Sequence, residues 1–318
     1  DKEEKNISSK EKNVDIRGDV YEYLLSKIAT AGRNGQFRTP RHIIRMMVDL
    51  MKPTPDELIC DPACGTSGFL VTASDYLREN YKNDILMNRQ KRDHYMNHMF
   101  HGFDMDRTML RIGAMNMMTH GVESPNIEYR DSLSDQNSDN EKYSLILANP
   151  PFNYHPWNQE RLIEDPRWKY GLPPAGNANY AWIQHMIHHL APNGKIGLVL
   201  ANGALSTQTS GEGEIRKNII EDDKIEGIIA MPTQLFYSVT IPVTLWFISN
   251  NKKQKGKTLF IDARNMGHMV DRKHRDLSDG TVNPEDNDIK VLADTFEAFQ
   301  NGTLEEKKGF CAIATTED

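Results

Sequence analysis

The apolar positions of this 318-residue chain switch repeatedly between two periods. Short runs rich in β-branched and aromatic residues read as buried strands at 57–60, 99–103, 127–130, 143–148, 195–201, 225–231, 243–249 and 258–262. Between them apolar residues recur at helical spacing. Ile43, Ile44, Met47, Val48 and Leu50 make one buried stripe, and further helices are predicted from 69 to about 79 and over 107–120, 181–190, 215–220 and 289–299. Val20, Tyr21, Leu24, Leu25 and Ile28 predict an earlier helix over 19–29. Met109, Met115, Met117 and Met118 of the 107–120 helix read as core filler. Strands and helices in alternation make an α/β fold, a doubly wound and mostly parallel sheet with helices on both faces. Residues 1–16 are polar and read as a solvated tail or linker, 17–265 as one domain, and 266–318 as a polar, helical extension. The stretch 83–96 is so polar that it reads as a surface insertion.

Chemistry-bearing residues stand where these strands end, on the rim at which open α/β sheets bind ligands. The first strand runs into Asp61-Pro62-Ala63-Cys64-Gly65-Thr66-Ser67-Gly68 and then a helix. Ala63, Gly65, Thr66, Ser67 and Gly68 make a tight turn that lets a ligand approach the backbone. The turn is neither a dinucleotide fingerprint nor a Walker loop. Asp61 would repel phosphate and attract a cation or an amine, which points to an adenosyl amino acid rather than NAD or ATP. Asp104 ends the second strand, where ribose hydroxyls are held in such folds, and Asp131 follows the third, where it suits either acceptance of the amine of a cofactor's adenine or a solvated turn. Upstream, Gln36, Phe37 and Arg38 lead into Thr39, expected as the cap of a helix with Pro40 at its first position and Arg41 next. That helix start offers free N–H groups to a carboxylate.

The fourth strand ends at Asn149-Pro150-Pro151-Phe152. The prolines fix φ and remove two backbone donors, so the carbonyls point in set directions with no neighbouring N–H to occupy them. Asn149 adds a side-chain acceptor. Two acceptors beside an aromatic ring suit a planar group with an exocyclic amine: the oxygens take its hydrogens, its lone pair becomes less delocalised, and Phe152 stacks on the base. The corner resembles the catalytic motif of amino-methyltransferases acting on adenine N6, guanine N2 or a glutamine amide. The loop 154–179 that follows carries Trp157, Trp168, Tyr170, Arg161, Arg167 and Lys169, which suit either an unstacked base or packing of the loop on itself.

Composition narrows the partners. Net charge is −7, an unusual balance for a protein that grips a polyphosphate alone: either the substrate is not a nucleic acid, or the basic groups cluster locally, or a partner supplies most of the grip. Three cysteines, Cys60, Cys64 and Cys311, make no paired framework and fit a reducing cytoplasm. No apolar run approaches the width of a bilayer, and no signal peptide is visible. His185 and His189 stand one helical turn apart without a third ligand nearby, so no metal is expected.

The sequence resembles the modification (M) subunits of type I restriction-modification systems over roughly residues 18–300. The donor motif Asp61 to Leu70, the order of Gly35-Gln36-Phe37-Arg38-Thr39-Pro40-Arg41, then that motif, then Asn149-Pro150-Pro151-Phe152, the Trp168-x-Tyr170-Gly171 loop, Gly211-Glu212-Gly213 with Ile215-Arg216, and Leu235-Phe236-Tyr237 carry the likeness. The resemblance implies a Rossmann-like fold that uses S-adenosylmethionine to methylate adenine N6 in DNA, with the target base flipped out. It implies assembly with a specificity (S) subunit and a restriction (R) subunit, two M per S, in a prokaryotic cytoplasm. By position, Gln36, Phe37, Arg38, Thr39, Pro40, Arg41, Thr66, Ser67, Gly68 and Asp104 would contact the cofactor, and Asn149, Pro150, Pro151 and Phe152 would hold the base. The family often has tyrosine at the place of Arg38 and glutamate at that of Asp104, and it begins with a helical domain for which this chain has no room, which implies a catalytic fragment. An RNA guanine-N2 or protein-glutamine methyltransferase shares the corner, and a silent cofactor-binding scaffold is the alternative of another class.

Overall fold

The computed structural model describes residues 39–134, 142–236, 241–272 and 274–318; the helix expected over 19–29, the tail, Gln36, Phe37, Arg38 and Tyr237 lie outside them. The strands are β1 (Ile59–Asp61), β2 (Phe100–Asp104), β3 (Asn126–Tyr129), β4 (Tyr143–Ala148), β5 (Leu190–Ala201), β6 (Ile225–Ala230), β7 (Val243–Ser249), β8 (Lys257–Asp262), the short pair β9 (His268–Met269) and β10 (Arg275–Asp276), and β11 (Cys311–Thr315). The helices are α1 (Arg41–Met51), α2 (Gly68–Met87), α3 (Arg89–Asn97), α4 (Arg107–Thr119), α5 (Asn179–His189), α6 (Glu212–Glu221) and α7 (Asp288–Gln300).

Nine strands form one sheet in the order β3-β2-β1-β4-β5-β7-β6-β8-β11. Pairing is parallel from β3 through β5 and between β6 and β8; β7 and β11 run against their neighbours. The C-terminal ends of β1, β2, β3 and β4 therefore share one rim. β4 shows why a continuous apolar run was needed: Leu145 and Leu147 enter one core while Ile146 and Ala148 enter the other. The first core is closed by α1, α2 and α7, the second by α5, α6 and the loop after β4.

One expectation is sharpened and one corrected. Residues 83–96 are largely exposed, as a surface segment should be, and are helical on both sides of Asn88: α2 continues to Met87, past a non-helical Tyr81, and α3 follows under an Asn88 cap. Tyr95 anchors α3 in the core with its hydroxyl 2.6 Å from Ser74 Oγ, and a single buried ring in a charged helix leaves no periodic stripe to read. Met109 and Met117 are buried, but Met115 and Met118 are 55% and 57% exposed, on the opposite side of α4. β11, weakly apolar and short, was not expected; its antiparallel pairing with β8 is decided by the edge that β8 presents. Among the described residues no helix is long and apolar enough to cross a membrane.

Candidate active site

The turn after β1 is built from both sides. Gly65 takes φ +51° and Ser67 φ +62°, so the backbone doubles back before α2 begins at Gly68. Asp104 at the end of β2 receives the N–H of Gly65 at 2.9 Å on one oxygen and that of Asp106 at 2.8 Å on the other. Asn116 of α4 donates to the Thr66 carbonyl at 2.9 Å. Close approach is obligatory at Gly113 of α4, where an added Cβ would stand 2.5 Å from Ser67 Oγ and 3.1 Å from the Gly65 carbonyl. The expected ribose acceptor, Asp104, is thus also the clamp of the glycine turn, with lone pairs remaining on each oxygen.

Asp61 is 2% exposed, and its carboxyl accepts the Ala63 N–H at 3.0 Å. Burial pushes its pKa up to about 8, the Ala63 hydrogen bond opposes that rise, and the charge of nearby Asp104 adds to it. A carboxyl held in this way gains from any cation brought beside it. Asp131 lies two residues past β3 and receives the Leu133 N–H at 3.1 Å.

At the fourth strand end, Asn149 donates from Nδ2 to Thr39 Oγ1 at 2.8 Å. Its Oδ1 is buried and accepts no hydrogen bond among the described residues. A buried orphan acceptor costs about 1–3 kcal/mol, a penalty that a ligand donor would remove. Thr39 consequently does not cap α1, which starts one residue later than expected: Pro40 is its N-cap with no side-chain cap bond, and the Pro40 carbonyl receives Ile43 and Ile44 N–H. The threonine hydroxyl is used across the rim instead. Pro40 and Pro150 are buried, Arg41 and Pro151 exposed, and Phe152 half-buried against the first core.

Asn153 turns the chain at φ +53° and is clamped. Its N–H reaches Asn179 Oδ1 at 3.0 Å, and its Oδ1 receives Nδ2 of Asn177 at 3.1 Å and of Asn179 at 3.0 Å. The loop between them packs on itself: Trp157 meets Trp168 edge-on at 5.5 Å, Trp157 donates to the Pro174 carbonyl and Trp168 to that of Leu162. Trp157, Trp168, Tyr170 and Arg167 are buried, whereas Arg161 is exposed and Lys169 pairs with Asp222 at 2.9 Å. Sequence reading missed the asparagine clamp and the buried role of Arg167; the recurrence of asparagine at 153, 177 and 179 was the available signal. His185 and His189 are buried and their rings lie 4.3 Å apart.

The strand order, the reversed β7, the glycine turn and the polar corner on the same rim define a Rossmann-like methyltransferase fold. The chain belongs to the N-6 DNA methylase family, whose family model matches residues 12–318. It is 42% identical to the type I restriction enzyme HindI methylase subunit of Haemophilus influenzae, over 96% of this chain and 65% of that one. It is 39% identical to the MjaIX methylase subunit of Methanocaldococcus jannaschii, over 96% and 53%. The chain therefore spans between about half and two thirds of the length of these relatives. Among solved structures, the type I restriction-modification methyltransferase subunit of Streptococcus thermophilus superposes with a TM-score of 0.77 at 24% identity, covering 94% of this chain and 60% of that one.

Proposed function

We propose that this chain is the catalytic part of a type I modification subunit and transfers a methyl group from S-adenosylmethionine to adenine N6 in DNA. The observation that carries this reading is Asn149 Oδ1, buried, without a donor among the described residues, and aimed by Thr39. The residues present fit the cofactor: a buried carboxyl at Asp61 short of a cation, a turn that Gly65 and Gly113 keep open, and Asp104 and Asp131 on the same rim. When bound, S-adenosylmethionine supplies a methyl already activated by its sulfonium. Thr39, Pro40, Arg41, Asp61, Ala63, Gly65, Thr66, Ser67, Gly68, Asp104 and Asp131, with Gln36, Phe37 and Arg38, would line its site. Asn149 Oδ1 and the Pro150 carbonyl would take the two N6 hydrogens and turn the nitrogen lone pair toward the methyl. Phe152 would stack on the base. Alignment and exclusion of water then carry the rate, with no covalent enzyme intermediate. The base must leave the duplex to reach the corner.

We take residues 17–265 as the catalytic domain, with 154–179 as its target-side loop, and 266–318 as an extension that closes the far edge of the sheet. Sequence reading and most phosphate contact would come from a specificity subunit, in a prokaryotic cytoplasmic complex of two M per S with a restriction subunit; this fits a net charge of −7. Labelled methyl transfer to unmethylated plasmid, with the specificity subunit present, tests the reading. Label should enter duplexes that contain adenine and stay out of adenine-free ones, and Asn149→Ala should lower its entry by about a hundredfold or more. Label in RNA guanine or in a glutamine side chain would replace adenine as the target. Cofactor binding without transfer to any acceptor would leave a scaffold.

A further inference from the structure

Arg167 is 3% exposed and belongs to neither motif. Its Nε and Nη2 fork onto Asp165 at 2.8 and 2.7 Å. Of the remaining N–H groups, one on Nη1 goes to the Ser132 carbonyl at 2.9 Å, and the second on Nη2 is shared between the carbonyls of Leu133 at 3.2 Å and Ser134 at 2.7 Å. Nη1 also lies 3.1 Å from Nδ1 of His185, an acceptor only while that ring is neutral, and burial first of all holds the His185 pKa well below its ordinary value. All five N–H donors of the guanidinium are used. The turn it grips follows Asp131, whose own carboxylate orientation depends on the Leu133 N–H, and Ser132 Oγ in turn donates to the Pro62 carbonyl at 2.6 Å. On its other side, Arg167 leads into Trp168, which locks the loop that begins at the Asn149 corner.

A buried ion pair adds little net stability, since an apolar side chain of the same volume would fill the space at lower desolvation cost. What it does supply is a fixed position for three carbonyls. We propose that Arg167 is a positioning residue: it fastens the turn bearing Asp131 to the target-side loop, so that the wall beside the cofactor's adenine and the wall beside the target base form one rigid piece. This rests on the methyltransferase reading above, in which Asp131 meets the cofactor.

The test measures binding on the 318-residue chain with S-adenosylmethionine as the probe, and KM and kcat on the same chain with the specificity subunit and unmethylated plasmid. Arg167→Lys keeps the charge but has three donors and no fork. It should weaken cofactor binding by calorimetry, and raise KM for S-adenosylmethionine, by about tenfold or more, while kcat at saturating cofactor stays within about threefold. Asp165→Asn, which loosens the fork and leaves the carbonyl contacts, should move the same quantities in the same direction by less. A folded Arg167→Lys protein with wild-type cofactor affinity overturns the proposal, as does one in which only kcat falls, the signature of a smaller active fraction. Should Arg167→Lys fail to fold, unchanged affinity in Asp165→Asn overturns it. Wild-type protein that binds no S-adenosylmethionine would instead bring down the function proposed above.

Discussion

Asp61 offers a measurement in which stability and function pull in opposite directions. Its folded-state pKa is raised from 3.8 to about 8, chiefly by burial. The fold therefore favours the neutral carboxyl. Its contribution to stability is complete below pH ~4 and is lost as pH rises toward about 8. At ~1.4 kcal/mol per pH unit the loss approaches about 6 kcal/mol, an upper figure. Asp61→Asn keeps the oxygen that receives the Ala63 N–H and removes the titration. Denaturant unfolding of both proteins should give a difference in stability, variant minus wild type, that grows by about 4 kcal/mol between pH 5 and 8 and then levels. Saturating S-adenosylmethionine, a cation, should stabilise the wild type more at pH 8 than at pH 5 and the variant equally at both. A difference that stays constant across this range would refute the reasoning, because Asp61 would then titrate as an ordinary surface carboxyl.

Asn149→Ala should lower methyl transfer by about a hundredfold or more while cofactor affinity by calorimetry stays within about threefold, since in the proposed function the amide acts on the acceptor base. Thr39→Val removes the oxygen that holds Asn149 Nδ2 at 2.8 Å and should lower kcat about tenfold; in the double variant with Asn149→Ala, kcat at saturating S-adenosylmethionine should fall no further, and additive losses in kcat would mean that Thr39 acts on the transfer by another route. Gly113→Ala gains helix propensity of about 1 kcal/mol but drives a methyl toward Ser67 Oγ and the Gly65 carbonyl, so KM for S-adenosylmethionine should rise about tenfold; a higher melting temperature with unchanged KM would show that the turn yields freely.

Much of the fold was legible because its strands are buried on both faces. A strand such as β4 must be apolar at every position and so announces itself, and the two longest apolar runs after it became β5 and β7. The rim motifs were legible for a related reason: φ constraints, glycine and consecutive prolines are properties of the local chain. Local chemistry did not say with whom a polar side chain would bond. Thr39 satisfies every local rule for a helix cap, yet its hydroxyl receives Asn149 from a position 110 residues away. Arg167, which suited either an unstacked base or packing of its own loop, is saturated by Asp165 and by carbonyls more than 30 residues upstream. β11 and the helix α3 needed a partner surface before their few apolar residues counted. The sequence by itself determined where backbone geometry is forced and which segments must leave water. The tertiary structure decided which donors meet which acceptors, because that pairing depends on distances between residues that only the closed sheet brings together.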